Sequence, residues 1–160
     1  MDTVKVIRAT NPQPQTSFKE QKIPADNAIN GKTIEEILGI EVQSKDGMFK
    51  IVIGRKTSAS CGCLVGKNMG VNTWTAFAGN NENSVVDGDF TVLESELQSV
   101  LKSLRVANIN IVTIHNHMTF EQPRFIFIHY WSRGKVIDLA LGLKSALDKT
   151  HDPDLVTMKN

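Results

Sequence analysis

The sequence lacks an excess of charge of either sign. Eighteen Lys and Arg face seventeen Asp and Glu, leaving a net charge of +1. Such a balance gives no electrostatic footprint for DNA or RNA and no basic patch for anionic lipid. There is also no apolar run near the roughly 18 residues a bilayer span needs. The opening residues, Met1 to Arg8, have no apolar signal core and no small-residue cleavage site. These absences predict a soluble, cytoplasmic chain with neither a nucleic-acid nor a membrane partner. Familiar chemical motifs are missing too: no G-x-G-x-x-G, P-loop, H-E-x-x-H or G-x-S-x-G occurs, and no serine sits in a recognisable nucleophile turn. The two cysteines, Cys61 and Cys63, are too few for a disulfide framework, and no second pair completes a tetrahedral zinc site. At i, i+2 on a strand they would share a face. A soft-metal or redox pair is one reading. Two reduced thiols in a glycine-containing strand is the favoured one.

What is present is a one-domain length of 160 residues with 41% hydrophobic and 22% charged residues, ordinary values for a packed core. Residues 1–25 carry Pro12, Pro14 and Pro24 and read as a loose arm with a short strand at Val4–Arg8. A single domain is expected over 26–150 and a tail over 151–160. Thr33 to Glu36 has capping-box spacing for a short helix that stops at Gly39. Met48–Gly54, Ser58–Val65 and Asn72–Ala78 read as strands. Asp87-Gly88-Asp89 is a turn signal, followed by a short strand at Phe90–Leu93 and a second capping box from Thr91 to Glu94. Leu93, Leu97, Val100, Leu101 and Leu104 then make one apolar helix face. Asn108–His117 and Arg124–Trp131 are strands around Pro123. A last helix follows Gly134, with Val136, Ala140, Leu143 and Leu147 as its buried stripe. Strands and helices mix without strict alternation. The expected class is α+β, a mostly antiparallel sheet with two main helices packed on one face.

The chemistry-bearing cluster is histidine. His115, His117 and His129 lie within fifteen residues, and His115 and His117 share a strand face. Pairing Phe120 with Arg124 across Glu121-Gln122-Pro123 would set His115 opposite His129 and His117 opposite Phe127, with opposed Cβ atoms about 5 Å apart. Three imidazoles would then converge on one ion, a set suited to catalytic zinc or another divalent metal. Glu121, Glu96 or Glu94 would add a ligand or a general acid/base, and Arg124 would hold a substrate carboxylate or phosphate. A one-residue slip would turn His129 to the other face, and strand histidines bonded to backbone or to acids are the bland alternative. Phe125 and Phe127 would line the histidine face. Trp74 and Phe77 are core by default, and His151 lies in the polar tail. Tyr130 and Trp131 suit a partner surface or strand-end packing alike.

Several blocks carry a resemblance: Gly47 to Arg55, Thr73 to Phe77, Gly88 to Glu96, His115-Asn116-His117-Met118, Pro123-Arg124, His129, and Leu139 to Asp148. Over about two-thirds of the chain they resemble the LppY/LpqO family, a bacterial domain family of unknown function. Thr57 stands where family members usually have Asp, and the cysteine pair is peculiar to this chain. The resemblance implies no reaction. Many relatives are exported lipoproteins and some carry two copies of the domain; a single copy leaves a homo-oligomer as one candidate assembly. His-x-His followed about a dozen residues later by His is similar in spacing to acetolactate decarboxylase, where the three bind zinc, and to the plant-and-prokaryote conserved domain. The expected function is binding of a divalent metal, zinc first, with metal-assisted chemistry on a small anionic, oxo-acid-like substrate. The alternative is a non-enzymatic metal- or ligand-binding module.

Overall fold

A computed structural model describes residues 27–150. The arm strand at Val4–Arg8, the tail and His151 lie outside the described residues. Chain order is α1 (Gly31–Leu38), β1 (Gln43–Lys45), β2 (Met48–Gly54), β3 (Thr57–Ser58), β4 (Leu64–Val65), a 3-10 turn (Lys67–Met69), β5 (Asn72–Gly79), β6 (Ser84–Leu93), α2 (Glu94–Val106), β7 (Asn110–His115), β8 (Phe125–Gly134) and α3 (Val136–Leu147). Six strands form one sheet in the order β1-β2-β5-β6-β8-β7, and β3 and β4 form a separate hairpin. Every neighbouring strand pair is antiparallel. The α+β class holds, with all three helices on one face of the large sheet.

Period-two alternation builds that face. Phe77, Val86, Phe90, Val92, Ile128 and Tyr130 point to the helices and pack against Val100 and Leu104 of α2, Leu139 and Leu143 of α3, and Ile34 of α1. Burial of each such side chain stabilises by roughly 1.5–3 kcal/mol. The α2 and α3 stripes expected from the sequence are largely the buried ones, though Leu97, Leu101 and Leu147 are only partly covered.

Local signals were displaced at three points. The α1 helix begins before Thr33, because the Asn30 side chain accepts from the Lys32 amide and caps it; Gly39, at φ 70°, ends it as expected. The α2 cap is not made by Thr91. That hydroxyl donates to the Asn72 carbonyl at 2.6 Å within the sheet. Instead the Glu96 carboxylate reaches back to the Leu93 amide at 2.8 Å. Asp87-Gly88-Asp89 is not a turn, since β6 runs straight through it. Gly88 is there for space: a Cβ would sit 2.3 Å from both the Trp74 carbonyl and the Tyr130 hydroxyl, which are hydrogen-bonded to each other. Among the described residues no helix is long and apolar enough to cross a membrane.

Candidate functional site on the open face

The other face of the sheet carries no helix. A small cluster of Val65, Val71, Phe125 and Phe127 occupies one end of it, beneath the hairpin and the turn that follows. The remainder mixes polar and apolar side chains. Asp87, Asp89 and Thr91 of β6 face Trp131, His129 and Phe127 of β8 across the ladder. Trp74 of β5 stands opposite Asp89, with the Lys50 ammonium 4.8 Å from its ring centre. Phe77 and Tyr130 lie instead in the core on the helix side.

The β7–β8 register differs from the expected one by two residues. Thr113, not His115, stands opposite His129, and His115 stands opposite Phe127. The cause is the connecting loop. Phe120 and Arg124 do not pair. Gln122 exchanges both backbone hydrogen bonds with Ser58 of β3, each 2.9 Å, and the Asn116 amide donates to the Phe125 carbonyl at 3.1 Å. A two-residue shift preserves side-chain parity. The histidines therefore share the open face with Phe127, but His129 sits further along the strand.

Two histidine groups result. His115 and His117 face each other with Nε2 atoms 3.1 Å apart. The His117 ring stacks on Phe127, centres 3.5 Å apart and planes 13° off parallel. His129 is engaged elsewhere: its Nδ1 lies 3.2 Å from Asp89 Oδ2 and its Nε2 lies 3.2 Å from Asp87 Oδ1. A neutral imidazole has one N–H and can donate to only one of these carboxylates. The single three-histidine centre is thus corrected. Among the described residues no three His, Cys, Asp or Glu side chains are placed to share an ion.

The remaining candidates divide as well. Glu96 is 1% exposed and bound to Arg55 through two contacts, Nη1–Oε2 at 2.6 Å and Nη2–Oε1 at 3.0 Å. It is a buried structural carboxylate, and Arg55 also donates to the Thr91 carbonyl at 3.0 Å. The expected acid/base role for Glu96 does not survive this placement. Glu94 is exposed in the first turn of α2. Glu121 is 1% exposed in the loop docked on β3, and its Oε2 has no hydrogen-bond partner. Arg124 is exposed just before β8. Buried side-chain atoms without a partner fall mostly on these acids and imidazoles: Asp89 Oδ1, His115 Nδ1 and Glu121 Oε2, with Thr75 Oγ1 the one other among the described residues. Polar atoms left so in a folded interior call for a water, a proton or an ion.

Asp87 and Asp89 are the residues that sequence reasoning missed. Their signal was legible: two acids at i, i+2 about a glycine read as a turn, but equally as a strand with both acids on one face and a close approach at the glycine. Cys61 and Cys63 lie in the hairpin turn, not on a strand, and are free and exposed.

A family model described as a Domain of Unknown Function (DUF1259) matches residues 32–149. No curated protein and no solved structure matched the chain.

Proposed function

The chain belongs to this Domain of Unknown Function family, which prescribes no reaction, and from its residues we propose that the open face binds a divalent metal ion, zinc first, together with a small oxygenated anion. The observation that carries this reading is the His115–His117 pair. Two nitrogen ligands of one tetrahedral zinc, each about 2.0–2.1 Å from the ion, lie roughly 3.3 Å apart. The two Nε2 atoms are 3.1 Å apart, so the pair fits as two ligands. The remaining positions fall to water and to the oxygens of the anion. A bound ion of this kind polarises a carbonyl oxygen or acidifies a water.

The chain's own residues do the rest. Phe127 holds the His117 ring by stacking, and Asp87 and Asp89 fix His129 as a second polar group on the same face. Arg124, exposed at the start of β8, supplies the cation for a carboxylate or phosphate. The resemblance to the LppY/LpqO family takes in the His-Asn-His-Met and Pro-Arg blocks together with His129, and implies no reaction. An oxo acid offers a carbonyl oxygen to the ion and a carboxylate to Arg124.

A second reading, a binding module without turnover, is favoured by one observation: Glu96, the expected acid/base, is tied to Arg55 in the interior. Zinc content of tag-free protein after dialysis tests the site that both readings share. One equivalent is expected in the wild type, lost in His115→Ala and in His117→Ala and largely kept in His129→Ala. Equal zinc in all four proteins would reject the site. An oxo-acid panel then assigns the reading: turnover that disappears in His115→Ala makes the domain an enzyme, and zinc-dependent binding alone makes it a module.

A further inference from the structure

The hairpin between β3 and β4 carries a group that the open face does not use. Ser58 and Leu64 are the last paired residues of the two strands. The Ala59 amide then donates to the Cys63 carbonyl at 2.9 Å, and the Gly62 amide donates to the Ala59 carbonyl at 2.8 Å. Gly62 adopts φ 77°, which favours glycine, and lets the chain reverse between the cysteines. The reversal brings Cys61 Sγ within 2.6 Å of Cys63 Sγ, with both residues exposed. Two exposed sulfurs in direct contact across a one-residue turn are within reach of a bond to each other. The Cys63 thiol, hydrogen-bonded to its neighbour, holds Cys61 below the ordinary thiol range, and the same contact raises Cys63.

We propose that Cys61-Gly62-Cys63 is a thiol–disulfide exchange site that trades two electrons with low-molecular-weight disulfides and dithiols. The Cys61 thiolate attacks one sulfur of an incoming disulfide. The reagent's S–S bond breaks, and one thiolate leaves and takes a proton from solvent. Cys63, having released its proton to solvent, attacks Cys61 Sγ in the mixed disulfide and expels the second thiolate. The chain has lost two electrons and holds a Cys61–Cys63 bond, and the reagent has become two thiols. A dithiol reverses both steps. Tethering by one intervening residue makes the second step intramolecular. The proposal does not rest on the metal reading of the histidines.

Full-length protein equilibrated with oxidised and reduced glutathione, in the presence of a chelator, then alkylated and weighed intact, tests the proposal. Both thiols are expected to vanish together, with the chain lighter by two hydrogen atoms, unlinked to other chains and restored by dithiothreitol. In Cys63→Ser, Cys61 is expected to stop at a glutathione adduct that persists at least about 100-fold longer than in the wild type. Stable adducts on both wild-type cysteines, links between chains, or unreactive thiols would overturn it. Far-ultraviolet circular dichroism of Cys61→Ser and Cys63→Ser is expected to match the wild type, since both positions are exposed.

Discussion

The two faces of the six-stranded sheet are written by the same strands and do opposite work. On the helix side β6 supplies Val86, Phe90 and Val92, all fully buried. One residue away in each case, the same strand supplies Asp87, Asp89 and Thr91 to the open side. In β8, Ile128 and Tyr130 belong to the core, and His129 between them meets two carboxylates. A step of one residue along a strand therefore separates stability from chemistry. Substitutions on the helix side should change folding and leave ligand binding alone, and those of His115 and His117 on the open side should do the reverse.

The seam between the faces should give the largest effect. Arg55 lies over Phe125, 5.1 Å from the ring centre, and its guanidinium holds Glu96 at the start of α2. Arg55→Ala leaves a buried carboxylate without its cation and should cost about 3–5 kcal/mol in urea unfolding. The double variant Arg55→Met with Glu96→Leu should lose less, because neither member of the pair is left alone, although the cap on the Leu93 amide goes with it. Equal losses in the two would mean that the pair is not acting as a buried ion pair. Next comes the helix side itself. Leu104→Ala, at a fully buried position, should cost about 2–5 kcal/mol and leave zinc uptake unchanged. Altered uptake would break the division between the faces.

The chain's single tyrosine sharpens the same contrast. Tyr130 is fully buried, and burial pushes its phenol well above the usual range. The unfolded chain ionises near pH 10 and the folded chain does not, so stability should fall as pH rises above about 10. Phenolate absorbance should therefore appear together with loss of circular dichroism. Ionisation near pH 10 with the fold intact would place the ring in solvent. The smallest effect belongs to the open side. His117→Ala removes an exposed ring stacked on Phe127 and should cost only about 0.5–1.5 kcal/mol, while abolishing zinc uptake.

Much of the architecture was legible because burial follows period. Met48–Gly54, the strand from Asn72, and the apolar stripes of α2 and α3 stand where alternation and helical spacing put them. Boundary signals were less reliable where a tertiary partner competed. Thr91 has capping-box spacing, yet its hydroxyl has a carbonyl to bond in the neighbouring strand. Gly88 looks like punctuation, yet it makes room for Tyr130. Within the site, the His-x-His pair and its phenylalanine wall could be read from parity alone. The third histidine could not be placed, because register depended on a loop that docks on β3 through Gln122, a contact 64 residues distant in sequence that no local pattern announces. The same glycine hides Asp87 and Asp89, because an acid on each side of it reads as a turn.

The most direct measurement is anomalous diffraction at the zinc edge from crystals of the tag-free protein grown with zinc. A peak about 2.0–2.1 Å from Nε2 of both His115 and His117 is expected, on the side of the sheet away from the helices. A peak bound elsewhere, or two rings with no metal between them at saturating zinc, would contradict the assignment of chemistry to that face.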